Sequence, residues 1–120
     1  LAMRPRRAPI VDVVDETFVR AEPDAVRAAL DEPGVLDRLW PGLQREVAQD
    51  RGTKGVRWWA CGEVTGRVEI WLEEVPGGTI VHHFVRGQQQ SGPRRWEQQH
   101  RQRWKNGVHE IKDRLEGRTR

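Results

Sequence analysis

The sequence predicts an α+β domain in which a curved antiparallel sheet of about five strands wraps around one long C-terminal helix, with two short helices after the first strand. Three observations predict it. Residues 43–87 are punctuated by Gly52, Gly55, Gly62, Gly66, Gly77 and Gly78, which separate runs rich in Val, Ile, Thr and Trp. From position 94 onward, apolar or aromatic residues fall at 96, 104, 108, 111 and 115, the spacing of one helical face. Ahead of both regions lie short apolar-periodic stretches, ended by Pro33-Gly34 and Pro41-Gly42. A chain of 120 residues and 13.9 kDa fits a single domain, expected over 8–118, with residues 1–7 as a basic tail. Met3 is expected to be the natural first residue, so Leu1 and Ala2 stay outside the fold reading.

Residues 10–20 (IVDVVDETFVR) are rich in Val, Thr and Phe and read as strand one. In AEPDAVRAALDEPG, Pro23 stands near a helix start beside Glu22 and Asp24, and Val26, Ala29 and Leu30 share one face. VLDRLW (35–40) adds a turn or two of helix, and the two helices form a V. Strands are expected at 43–51, 55–62, 66–75 and 79–87, joined antiparallel by short turns, with Pro76-Gly77-Gly78 the most secure turn. After the polar loop QQQSGP (88–93), one helix runs to Gly117 and presents Trp96, His100, Trp104, Val108, Ile111 and Leu115 on one face.

That order of elements is the order of the helix-grip fold, and particular residues strengthen the likeness. VDVVDETFVRAEPDAVRAALDEP resembles the opening of the START-related superfamily, where a strand runs into an Ala-x-Pro turn and a helix carrying a Val. Trp40-Pro41 after the second helix and WLEEVPGGTIVHH, which looks like that superfamily's closing hairpin, extend the match. Over nearly its whole length the chain most resembles the polyketide cyclase/dehydrase and lipid-transport branch (SRPBCC-like). The resemblance implies a cavity between sheet and last helix that takes an apolar or polycyclic small molecule. It implies more weakly a cyclase or dehydrase acting on a polyketide-like chain. The sequence departs from the pattern in having fewer strands than fuller members, as though a hairpin between Gly62 and Gly66 were absent, which implies a smaller or more open pocket.

Charge is distributed unevenly. Residues 94–120 hold nine Lys/Arg against four Asp/Glu and residues 1–7 hold three Arg, whereas residues 8–93 hold nine against fourteen. A basic terminal helix is either a solvated face or a surface for RNA or a ribosome, for anionic lipid, or for a second copy of the acidic body. A nucleic-acid-binding module and a self-associating domain, a homodimer in the simplest case, therefore stand beside the ligand-binding reading. No run approaches the roughly 20 apolar residues that span a bilayer, and no apolar run follows the opening basic residues, so a cytoplasmic location is expected. One cysteine, Cys61, and four His without metal-ligand spacing predict no disulfide, no metal and no cofactor.

The candidate ligand-contacting residues are Trp58, Trp71, Trp104 and Phe84, since an indole offers a large apolar face and one donor; ordinary core packing accounts for about four of the six Trp. The candidate proton-transfer residues are Asp15, His82 and His100. Asp15 shares a strand face with Val11, Val13, Thr17 and Val19; the opposite phase, with Asp12 and Glu16 inward beside Val14 and Phe18, stays open. Pairing Pro76 with Thr79 puts Glu73 opposite His82, Trp71 opposite Phe84 and Glu69 opposite Arg86. That face is either a catalytic Glu-His pair beside a Trp or a solvated face with cross-strand ion pairs. His100, one turn from both Trp96 and Trp104, is either a buried structural histidine or a titrating group.

Overall fold

The computed structural model describes residues 9–117. The proposed tail at 1–7 and both outer boundary residues, 8 and 118, lie outside the described residues. The elements run β1 (Ile10–Val19), α1 (Pro23–Leu30), α2 (Val35–Leu39), β2 (Leu43–Asp50), a 3-10 turn (Gly52–Lys54), β3 (Gly55–Gly62), β4 (Val64–Val75), β5 (Gly78–Gln89) and α3 (Trp96–Leu115). The five strands form one antiparallel sheet in the order β1-β5-β4-β3-β2, and its inner face packs on α3. This is the α+β architecture expected above.

Alternation along β1 sorts its side chains cleanly. Val11, Val13, Thr17 and Val19 are buried beneath the helices with Asp15 among them, while Ile10, Asp12, Val14, Glu16 and Phe18 face outward. The open question of strand phase is thereby decided, because four β-branched residues gain more from burial than Val14 and Phe18 lose by exposure. Helix α1 starts with Pro23 in its first turn, where the missing N–H costs nothing, and buries Val26, Ala29 and Leu30. Helix α3 buries Trp96, His100, Trp104, Val108 and Ile111. At Gly107 it runs so close to α2 that a Cβ would overlap the Leu39 side chain.

The β4–β5 hairpin differs from the sequence-based register by two residues. Val75 pairs with Gly78 around a two-residue turn, so Trp71 lies opposite His82, Glu69 opposite Phe84 and Glu73 opposite Ile80. The turn consists of Pro76, whose ring fixes φ, and Gly77 at φ +86, which only glycine adopts cheaply, so Gly78 is released into the strand. A two-residue slip preserves side-chain faces. Glu69, Trp71, Glu73, His82, Phe84 and Arg86 therefore still share one face, and it is the face turned away from α3.

The two sheet edges are treated differently. Along β1, the Asp12 N–H donates to Glu97 Oε1 (2.8 Å) and the Asp12 carbonyl accepts from Arg101 (2.9 Å). The Glu16 carbonyl accepts from Lys105 (3.3 Å) and the Phe18 carbonyl from Lys112. One edge is thus closed by polar side chains of α3, which removes a template for strand addition. At the other edge β2 carries a bulge between Val47 and Gln49.

Trp104 is the deepest aromatic anchor, with 0% of its surface exposed, whereas Trp59 on the outer face is half exposed. Trp104→Ala is expected to cost about 3–5 kcal/mol of stability and Trp59→Ala less than about 1 kcal/mol, read as shifts in the urea midpoint. Equal costs would contradict this placement of the core.

Candidate functional site

The inner face of the sheet meets α3 through rings. Trp40, from the end of α2, stacks on His83 of β5 (centroids 5.4 Å apart) and meets Trp58 of β3 edge-on at 5.3 Å. His83 lies 4.1 Å from Trp104, and Trp96 stacks on His100 at 4.7 Å. Asp15 ties β1 to this layer: its carboxylate accepts from Trp104 Nε1 (3.1 Å), Lys105 Nζ (2.7 Å) and Thr17 Oγ1 (3.2 Å). The volume between sheet and last helix is therefore filled by the protein's own side chains.

At the centre sits a histidine pair, His83 Nε2 to His100 Nε2, 2.9 Å apart. His83 Nδ1 donates to the Glu69 carbonyl (3.2 Å). With its proton there, His83 Nε2 can only accept, and His100 Nε2 must donate to it. That leaves His100 Nδ1 as a bare acceptor, buried and without a partner. Burial pushes both imidazoles from 6.5 down to about 3, and for His100 the neighbouring His83, Arg103 and Arg101 add to the effect. Both are neutral near pH 7.

The residues singled out from sequence separate into two groups. Asp15, Trp58, Trp104 and His100 lie inside. His82, Trp71 and Phe84 lie on the outer face, where His82 Nε2 meets Glu73 Oε1 at 2.9 Å, Nδ1 meets Glu16 at 3.6 Å, and the ring stacks on Trp71 at 4.2 Å. Sequence reasoning singled out neither His83 nor Trp40. The signal for His83 was present, because neighbours in a strand face opposite ways and an outward His82 requires an inward His83. Among the described residues, no group of three or more His, Cys, Asp or Glu is arranged to hold a metal, and no helix is long and apolar enough to cross a membrane.

Open volume lies beside the ring-filled layer. A hollow of about 560 Å³ runs between α1–α2 and the inner side of β2–β3. Leu36, Leu43, Val47, Val56 and Trp58 give it an apolar wall, and Arg27, Asp31, Asp37, Arg45 and Asp50 form its rim. Beside it a void of about 10 Å³, room for no more than one water, is bordered by Leu30, Ile70 and Leu72. Arg27 latches one end: Nε donates to Asp31 (2.8 Å), and Nη1 donates to Asp50 (2.9 Å) and to the Gly52 carbonyl (2.8 Å). The hydrogen bond from Arg27, followed by that from the Gly52 N–H, holds the Asp50 carboxyl down at about 2. A further hollow of about 500 Å³ is lined by Ala48, Trp58, Trp59 and Val68 together with the charged Arg57, Arg67 and Glu69.

No family model and no curated protein matches the chain. Solved structures do. The Aha1 dimer from Colwellia psychrerythraea aligns with TM-score 0.66 at 17% identity over 88% of this chain and 96% of that one. Protein MLL2253 from Mesorhizobium loti aligns with TM-score 0.68 at 16% identity over 91% and 99%. The chain has the helix-grip fold. A third helix-grip neighbour, the di-domain ARO/CYC StfQ from the steffimycin biosynthetic pathway, aligns with TM-score 0.61 at 10% identity over 90% of this chain and 52% of that one. At these identities the likeness is one of fold.

The histidine pair gives this helix-grip domain a defined acid sensitivity. Above pH 6.5 the imidazoles are neutral whether the chain is folded or not; below it the unfolded chain takes up protons that the folded chain refuses until about pH 3. Stability is therefore lost as pH falls through this window. The melting temperature is expected to drop between about pH 6.5 and 5, before most carboxylates titrate, and a His83→Leu/His100→Leu variant should show a flatter profile. Identical slopes for parent and variant would count against the buried neutral pair.

Proposed function

We propose that the chain binds an apolar or aromatic small molecule in the hollow between α1–α2 and β2–β3, with Trp58 as the principal contact surface. One observation carries the reading: the hollow has a ligand-sized volume of about 560 Å³ and a wall formed by Leu36, Leu43, Val47, Val56 and Trp58. The fold shared with an ARO/CYC supports it further. The binding position lies to the side of the sheet–α3 gap because Trp40, Trp104, His83 and His100 occupy that gap. Polyketide cyclase or dehydrase chemistry is the more specific form of this proposal, and the arrangement favours binding over turnover. Asp15 is held by Lys105 and Trp104, His100 is a buried neutral ring, His82 lies on the far face, and none of the three lines the hollow. Against the nucleic-acid alternative, four of the five cations of α3 are engaged elsewhere: Arg101, Lys105 and Lys112 serve the β1 edge, and Arg114 pairs with Glu32 at 3.0 Å.

Titration with naphthalenes, flavonoids, anthraquinones and fatty acids is expected to change Trp emission for some member of the panel. Trp58→Leu should weaken that binding by about tenfold. Asp15→Asn and His82→Gln should leave affinity unchanged, and an enolisable polyketide should not turn over. A flat response across the panel, with no thermal shift, would refute ligand binding. A fall in turnover of about 100-fold in either variant would restore the enzymatic reading.

A second reading, self-association, has an observation of its own. Ile10, Val14 and Phe18 are exposed in a row on the outer face of β1, with Phe84 opposite Val14 and Ile80 opposite Phe18, and one neighbour of the same fold is a dimer. If this patch is an interface, sedimentation should show a concentration-dependent dimer that a Val14→Asp/Phe18→Asp variant abolishes. A parent that sediments as a monomer at all concentrations rules it out.

A further inference from the structure

Of the two arginines at the hollow, only one is available to a ligand. Arg27 is saturated by Asp31, Asp50 and the Gly52 carbonyl, and its role is to join α1 to the β2–β3 end of the sheet. Arg45 has a single acidic partner, Asp37, at 3.1 Å. The two ends of that pair differ: the Arg45 side chain is 22% exposed and lies 5.6 Å from the Trp40 ring centre, whereas the Asp37 side chain is 77% exposed. A pair with one partner in water contributes little, so Asp37 can turn away cheaply while Arg45 stays where the Trp40 face and the sheet hold it. The Trp40 ring beneath it carries a second unmatched donor, its buried indole N–H, which has no acceptor.

Resting on the binding reading above, we propose that the ligand is an aryl carboxylic acid whose carboxylate replaces Asp37 on Arg45 and whose ring lies against Trp58. A carboxylate is acceptor-only and matches the guanidinium fork with two parallel hydrogen bonds, which a hydroxyl or a ketone cannot do. The rings set the span. Arg45 lies opposite Ala60 and Val47 opposite Trp58, so Arg45 and Trp58 are diagonal neighbours on the same face of the sheet. The Arg45 guanidinium lies 5.6 Å from the Trp40 ring centre, and Trp40 in turn meets the Trp58 ring at 5.3 Å, so a carboxyl group attached to, or one carbon away from, a fused ring system can reach the guanidinium while the ring lies against Trp58. Leu43 and Val47 close the same side of the hollow with apolar surface. Exchanging one carboxylate for another at Arg45 leaves the charge beside that guanidinium unchanged, and the remaining acids, Asp31 and Asp50, share the single positive charge of Arg27 at the opposite end of β2.

The test uses three probes of one shape: naphthoate, naphthol and naphthylmethylammonium, titrated into the whole chain with Trp emission and calorimetry as readouts. Naphthoate is expected to bind at least about tenfold more tightly than naphthol, the increment of a charge-assisted hydrogen-bonded pair. Arg45→Gln should bring naphthoate to the level of naphthol without changing naphthol, and Arg45→Lys should restore part of the difference. The melting temperature of Arg45→Gln serves as the folding control. Equal affinities for naphthoate and naphthol, or tightest binding of the ammonium, would overturn the carboxylate assignment and leave the binding reading intact. Failure of all three probes, together with the wider panel, would remove the binding reading itself.

Discussion

The packing of Trp104 and His83 across the sheet–helix interface is the contact on which the remainder of this domain depends. Trp104 is fully buried, packs tilted against His83 at 4.1 Å and donates its indole proton to Asp15 on the edge strand. One side chain thereby fixes α3 both to the middle of the sheet and to its border. Around it the rings of Trp40, Trp58, Trp96 and His100 close the inner layer. Packed rings have little freedom to rearrange, because an interior of this density transmits any displacement to its neighbours.

Several consequences follow from filling that layer. The histidines inside it lose access to water and with it their charge near neutrality, so two groups that would titrate in solution become neutral members of a hydrogen-bonded chain ending at the Glu69 carbonyl. The open volume lies on the flank instead, between α1–α2 and β2–β3, with the Arg27 latch at one end. The polar residues around that space are arranged in two salt-bridged groups of unequal freedom, one closed on itself at Arg27 and one open to exchange at Arg45.

The basic character of the terminal helix has a structural use that charge counting did not reveal. Arg101, Lys105 and Lys112 recur along the side of α3 that borders β1 and hydrogen-bond to its carbonyls, while Glu97 takes an N–H of the same strand. Long side chains with charged ends can lie along the sheet border and still reach solvent. They protect an edge that carries exposed Ile10, Val14 and Phe18 on its outer face.

The sequence by itself determined the order and kind of elements, since each depends on local signals: the Val-rich run of β1, Pro23 at the start of α1, glycines between strands, and the helical stripe from Trp96 to Leu115. It also determined that the inward stripe of α3 would carry His100 between two tryptophans, because helical spacing alone places them there. Tertiary structure decided the rest. The hairpin register turned on whether Gly78 belongs to the turn or to the strand, a choice that pairing with β1 and β4 makes together. His83 became a core residue because the outer face retained His82 between Glu73 and Glu16. Arg27 and Arg45 joined one hollow only through contacts among α1, α2 and β2, which no local pattern encodes. Local preferences are written in neighbouring residues, whereas a site lined by three elements exists only once the chain has closed on itself, and its position here follows from the large rings that fill the centre.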